Sequence, residues 1–205
     1  MSPFTTRSFG SIPEQDSTSR PSRGLIPMTL VRRTLLTLAA LSAALPLHAQ
    51  PARPLQVVAS FSILADMARE IAGDAAQVHA LVGPNADAHV YEPTPADAQR
   101  LARADLVIVN GLHFEGWIER LVRASGYRGP VVEASRGIEP RRAGPAVDPH
   151  AWQSLAHAQR YVENLRAALS AAAPAQAAAI DARARAYMAR LAALDARARA
   201  AFDAI

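Results

Sequence analysis

The chain has 205 residues, enough for one domain of ordinary size or for one lobe of a larger protein, and half of them are apolar, so a packed core is within reach. The formal net charge of +4 does not point to nucleic acid. Of the 22 basic residues, all arginines, five lie in residues 1–49, and the rest of the chain carries 17 against 16 carboxylates, with no basic patch. Cysteine is absent, which excludes disulfides and thiolate metal sites and leaves no cysteine to carry a lipid anchor.

Residues 1–27 are polar, dotted with proline and without period, and read either as a disordered extension or as a start assigned too early. A second beginning follows at Met28, with Arg32-Arg33, the apolar run TLLTLAALSAALPL and a small residue, Ala49, before the expected cleavage point. A basic start, a short apolar core and a small-residue exit make a secretory signal peptide over residues 28–49. The run is too short for a permanent membrane helix, which needs about 20 residues. The expected product is a soluble periplasmic protein beginning near Gln50, without a lipid anchor and not itself membrane-spanning.

In chain order, Leu55–Ser60 is a β-branched run that predicts a buried strand. Ser62–Ala72 predicts a helix that buries Ile63, Leu64, Met67, Ala68 and Ile71 and stops at Gly73. Gln77–Val82 predicts a second strand, and a helix follows from Pro95 to about Arg103. Thr94 caps that helix, with Pro95 at its first position and Asp97 three residues after the cap. Leu106–Asn110 predicts a third strand, Phe114–Ala124 a helix and Gly129–Glu133 a fourth strand. Leu155–Leu169 is helical again. After Pro174 the apolar positions Ile180, Ala184, Tyr187, Leu191, Leu194 and Ala198 recur at spacings of three and four, which predicts a long amphipathic rod lying outside the compact core.

Strands alternating with helices of this length imply βαβ units: an α/β class, a (β/α)4 lobe with a parallel sheet over residues 50–173 and a long helix over 174–205. Ligands of such sheets lie beyond the carboxyl ends of the strands, where the loops 83–93 and 134–152 leave. Each of these loops holds a histidine two residues after an aspartate and shortly before an aromatic: Asp87-Ala-His89-Val-Tyr91 and Asp148-Pro-His150-Ala-Trp152. Neutral imidazole is the commonest ligand of divalent transition metals, and it needs its other nitrogen fixed by a carboxylate or carbonyl. The pair on one sheet edge therefore favours a metal.

These two stretches resemble the signatures of the periplasmic metal-binding (substrate-binding) proteins of zinc- and manganese-uptake ABC transporters, a group that includes metal-binding streptococcal adhesins. The first family signature, Asp-Pro-His-x-Tyr-Glu-Pro, stands here as Asp87-Ala-His-Val-Tyr-Glu-Pro93, with Ala88 in place of proline. The second, Asp-Pro-His-x-Trp, is matched in full by Asp148–Trp152. Asn110-Gly111 and Phe114-Glu-Gly-Trp117 are also similar to the family, and the likeness runs over residues 55–205.

The resemblance implies two (β/α) lobes joined by one long helix, with two metal ligands from each lobe. It makes His89 and His150 the ligands of Zn²⁺ or Mn²⁺, carried as cargo rather than used in catalysis, so the protein is expected not to be an enzyme. It implies high-affinity capture of the ion in the periplasm, delivery to an inner-membrane ABC permease, and a monomer at full length. The rod after Pro174 stands where the family has its joining helix, so the second lobe and its two ligands are expected to lie beyond Ile205. No histidine-rich stretch lies between Gly137 and Val147, which keeps manganese open beside zinc.

Four residues are auxiliary candidates. Asp87 and Asp148 would orient the histidines; Glu92 would orient His89 or bond backbone N–H groups; His113 would be an auxiliary ligand, an entry residue or a polar loop residue. His79 and His157 read as structural, and Trp117 and Trp152 as packing residues. Two rivals remain at this level: a metal-dependent hydrolase with Glu92 or Asp148 as general base, and a periplasmic binder of a metal chelate.

Overall fold

The computed structural model describes residues 53–204. The readings of residues 1–27 as an extension and of 28–49 as a signal peptide lie outside the described residues, as do residues 50–52.

Strand β1 (Leu55–Phe61) runs into helix α1 (Ser62–Ala72). Strand β2 (Ala76–Val82) follows, then α2 (Pro95–Ala102), β3 (Leu106–Val109), α3 (Ile118–Ser125) and β4 (Val131–Glu133). All four strands are parallel, in the order β2-β1-β3-β4. The chain moves outward one way from β1 to β2 and the other way from β3 to β4. Right-handed crossovers then place the connecting helices on opposite faces. Accordingly α1 packs with α4 (Leu155–Ala172) and α5 (Ala177–Asp203), while α2 packs with α3. β1 and β3 sit at the point where the direction reverses.

The central strands are apolar because both faces are covered: Val57 to Phe61 and Leu106 to Val109 are buried throughout. β2 lies at the edge, and Gln77 and His79 stay exposed there. The expected cap of α2 is present in full. Thr94 accepts from the Asp97 amide and Asp97 accepts from the Thr94 amide at 2.8 Å, so each satisfies a donor the helix start leaves open.

Five expectations need correction. Ile63 is 40% exposed, and Ala65 takes its place on the buried face of α1. α3 starts at Ile118, not Phe114. Residues 111–113 turn left-handed, with φ of 84°, 55° and 60° at Gly111, Leu112 and His113, and no helix can begin there. The loop 134–152 is not free of structure: β5 (Arg142–Ala143) and β6 (Ala146–Val147) form a small antiparallel hairpin around Gly144-Pro145. α4 runs three residues further than expected, to Ala172.

The fifth concerns α5. Its first half is part of the core: Ile180 and Ala184 are fully buried and Leu191 nearly so, against α1 and α4. Alanines between them let the helices approach closely. Arg183 donates through Nε to the Ile71 carbonyl at 2.8 Å and through its guanidinium to Ala72, closing carbonyls that the end of α1 leaves open. Arg166 of α4 pairs with Asp181 of α5 at 2.8 Å. Only the far half projects, where Leu194 and Phe202 are exposed. No helix among the described residues is long and apolar enough to cross a membrane.

Candidate metal centre

The loop after β2 and the loop after β4 both reach the carboxyl edge of the sheet over the β1/β3 boundary. There the two histidines meet: His89 Nε2 lies 3.0 Å from His150 Nε2. Two nitrogens at this separation, each about 2.0–2.1 Å from a shared ion, subtend about 90–100° at it. That is somewhat tighter than a regular tetrahedron and close to the angle between neighbouring ligands of an octahedron. Both ring nitrogens are therefore within reach of one ion.

Each aspartate acts on the histidine two residues on. Asp87 Oδ1 accepts the His89 amide at 2.9 Å, and Asp148 Oδ1 accepts the His150 amide at 3.0 Å. These are Asx turns, the local reason for the shared spacing. Asp148 does more, because the same oxygen lies 2.7 Å from His150 Nδ1. A carboxylate there requires N–H at Nδ1, so the lone pair of His150 sits on Nε2, facing His89. The His150 amide and ring hold the Asp148 carboxyl below the usual carboxylate range. With the lone pair of His150 on Nε2, a bond between the rings has His89 Nε2–H as its donor; a metal entering between them would require His89 to carry its proton on Nδ1 instead.

An aromatic wall backs the pair. The Phe114 ring lies 4.5 Å from the His89 ring and 5.8 Å from that of His150, and it also packs on Phe61 and Trp152. With Ile63, Asp87 and Ala88 these residues line a cavity of about 220 Å³ that opens beside the histidines. One side of the site is thus shielded from water, which strengthens any charge interaction made there.

Below the site is a polar layer that sequence reasoning did not assign. Asn110, fully buried at the end of β3, donates through Nδ2 to the Pro149 carbonyl at 3.0 Å, next to His150. Its Oδ1 accepts from Tyr161 of α4 at 2.6 Å, and its carbonyl accepts from Ser135 Oγ at 2.6 Å. Glu115, also buried, accepts the Asn110 amide at 2.6 Å and the hydroxyl of Ser60 at the end of β1. Burial raises the Glu115 pKa, and the bonds it accepts offset part of that rise. The left-handed turn over 111–113 costs about 1–2 kcal/mol at each non-glycine residue. At Gly111 a Cβ would lie 3.0 Å from Ser135 Oγ, so the position requires glycine. Trp117, expected to pack, also donates Nε1–H to the Ala88 carbonyl at 2.7 Å and thereby anchors the His89 loop. The sequence clue to this layer was the pair Asn110-Gly111 with Glu115 and Trp117 nearby; nothing pointed to Ser60 or Tyr161.

The remaining candidates are placed apart. Glu92 is exposed, and no hydrogen bond among the described residues links it to either histidine. His113 is exposed and lines a separate groove between α3 and β4, with Glu119 and Glu133. Among the described residues no group of three or more His, Asp, Glu or Cys side chains could hold a metal ion.

Fold and site together define a class: a parallel α/β lobe that presents converging imidazoles at its carboxyl edge. The sequence model of the family described as "Zinc-uptake complex component A periplasmic" matches residues 57–205, and the chain belongs to that family. It is 39% identical over 140 residues to the iron-binding protein YfeA of Yersinia pestis, covering 66% of this chain and 45% of the relative. It is 39% identical over 136 residues to the manganese-binding lipoprotein MntA of Halalkalibacterium halodurans, covering 65% and 45%. Among solved structures, the Mn-bound periplasmic metal binding protein of Candidatus Liberibacter asiaticus superposes with a TM-score of 0.61 at 35% identity, over 65% of this chain and 52% of that one. Zn(II)-bound AdcA of Streptococcus pneumoniae gives 0.64 at 27% identity, over 70% and 32%. The chain spans about half the length of the curated relatives it matches.

Proposed function

We propose that these residues form the metal-receiving lobe of a periplasmic substrate-binding protein that captures a divalent transition metal and hands it to an inner-membrane ABC permease. The cargo is zinc, manganese or iron, the metals named for the relatives above. The protein acts by binding rather than catalysis, and the segment 28–49 exports it. The observation that carries this reading is the 3.0 Å approach of two imidazole nitrogens from separate loops, each loop set by its own aspartate.

His89 and His150 bind the ion through Nε2, and Asp148 holds the lone pair of His150 toward it. Two imidazoles leave the other coordination positions to water or to further protein ligands, so this lobe alone binds weakly. Weak binding at an open edge also suits a carrier that must release its cargo. Ile63, and Val90 one residue from His89, are exposed apolar side chains on this lobe.

The test is calorimetric titration of Zn²⁺ and Mn²⁺ into the chain and into His89→Ala and His150→Ala. Each substitution is expected to weaken binding at least tenfold, equivalent to about 1.4 kcal/mol. Unchanged affinity in both variants ends the reading.

A further inference from the structure

We infer that Asn110 is a positioning residue for the metal site: it sets where the His150 loop stands relative to His89, and through that spacing tunes affinity and coordination geometry. The inference rests on the metal-binding reading above.

Asn110 ends β3 at the reversal point of the sheet and is fully buried. Its side-chain amide links the residue before His150 to helix α4. Nδ2 donates to the Pro149 carbonyl at 3.0 Å and to the Gly111 carbonyl at 2.9 Å, so both of its hydrogens are used. The two carbonyls can only accept, which turns the amide nitrogen toward Pro149 and leaves Oδ1 to accept the Tyr161 hydroxyl at 2.6 Å. Tyr161 is fully buried in α4, the helix that follows the His150 loop. The Asn110 main chain is held as well, by Glu115 at its amide and Ser135 at its carbonyl. The side chain is therefore pinned at every polar atom, and its one non-local contact on the ligand side is the carbonyl immediately before His150.

Asp148 orients the ring of His150 but belongs to the same loop and moves with it. Asn110 gives the hydrogen bond from the end of β3 to the residue just before His150, whereas the His89 loop is tied through Trp117 to the Ala88 carbonyl. The 3.0 Å spacing between ligand nitrogens thus depends on two side-chain donors, each bonded to the carbonyl preceding a histidine. Partners one shell out from a metal ligand typically affect metal affinity 10–100-fold.

The experiment compares the full chain with Asn110→Asp and Tyr161→Phe. The first keeps size and the acceptor for Tyr161 but replaces the donor to Pro149 by a carboxylate oxygen. The second keeps the amide but removes the hydroxyl that braces its oxygen. Readouts are Zn²⁺ affinity by chelator competition, the visible spectrum of the Co²⁺ form, and thermal unfolding without metal. Asn110→Asp is expected to weaken Zn²⁺ binding about 10–100-fold and to shift the Co²⁺ bands. Tyr161→Phe is expected to act in the same direction by a smaller factor. A merely structural role would lower the unfolding temperature while leaving the Co²⁺ spectrum and the Zn²⁺ affinity of the folded protein unchanged, and that result overturns the inference. If His89→Ala and His150→Ala lose binding while both new variants keep it, this inference alone falls; if the unsubstituted chain binds no metal, the reading beneath it falls too.

Discussion

The two histidine loops share a sequence pattern and differ in how firmly each imidazole is held. In the loop after β4, Asp148 grips both the amide and the ring of His150, and Asn110 holds the preceding carbonyl. In the loop after β2, Asp87 takes only the amide of His89; the ring is steered by Phe114 and by His150 itself. One imidazole is oriented by its own loop, and the other keeps freedom at Nδ1. The repeated Asp-x-His spacing therefore encodes the turn in both loops and ring orientation in only one.

The most direct way to break this contrast is to neutralise each aspartate in turn. Asp148→Asn should weaken Zn²⁺ binding by about 10–100-fold, because the ring of His150 loses its charged partner. Asp87→Asn should stay within roughly twofold, because asparagine forms the same Asx turn to the backbone. Competition titration of both variants decides it, and equal losses would mean that the loops are held alike.

A smaller effect is expected at the anchor of the His89 loop. Trp117→Phe retains an aromatic beside Tyr91, whose ring centroid lies 5.1 Å away, but removes the donor to Ala88. A buried carbonyl left without its partner costs about 1–3 kcal/mol, which denaturant unfolding would register. Metal affinity should fall modestly alongside, through His89 rather than His150.

The smallest effect concerns the exit of the same loop. Burial by itself would raise the Asp97 pKa, but the Thr94 amide and hydroxyl, the Tyr91 hydroxyl and Arg100 outweigh it and hold the carboxyl below its usual 3.8. A depressed folded pKa contributes stability that is complete above the unfolded value and fades as pH falls through the folded one. Asp97→Asn should therefore cost about 1 kcal/mol at neutral pH, and the difference from the parent chain should shrink as pH falls below 3.8. A stability difference that stays constant down to pH 2 would assign the effect to packing instead.

Much of this was legible in the chain because it is local. The β-branched runs at 55–60 and 106–109 can be buried only as central strands. Thr94-Pro-Ala-Asp97 carries its cap in four consecutive residues, and Asp-x-His forms a turn with no help from elsewhere. α3 was misplaced because the left-handed residues Leu112 and His113 carry no glycine signature; the turn is imposed by Glu115 and Ser135 around Gly111. The small hairpin at 142–147 was hidden although Gly144-Pro145 marked its turn, since its strands are only two residues each.

By itself, then, the sequence determined the alternation of strand and helix and the two Asp-x-His turns at one edge of the sheet, all of which follow from period, caps and turns within a few residues. Tertiary structure alone decided that His89 and His150, 61 positions apart, bring their nitrogens to 3.0 Å. It also decided that Asn110, Glu115, Ser60 and Tyr161 support them, and that alanine-rich α5 docks its first half through Arg183. Contacts of that kind depend on which polar atoms remain unpaired once the sheet and helices have packed, and no stretch of a few residues records that.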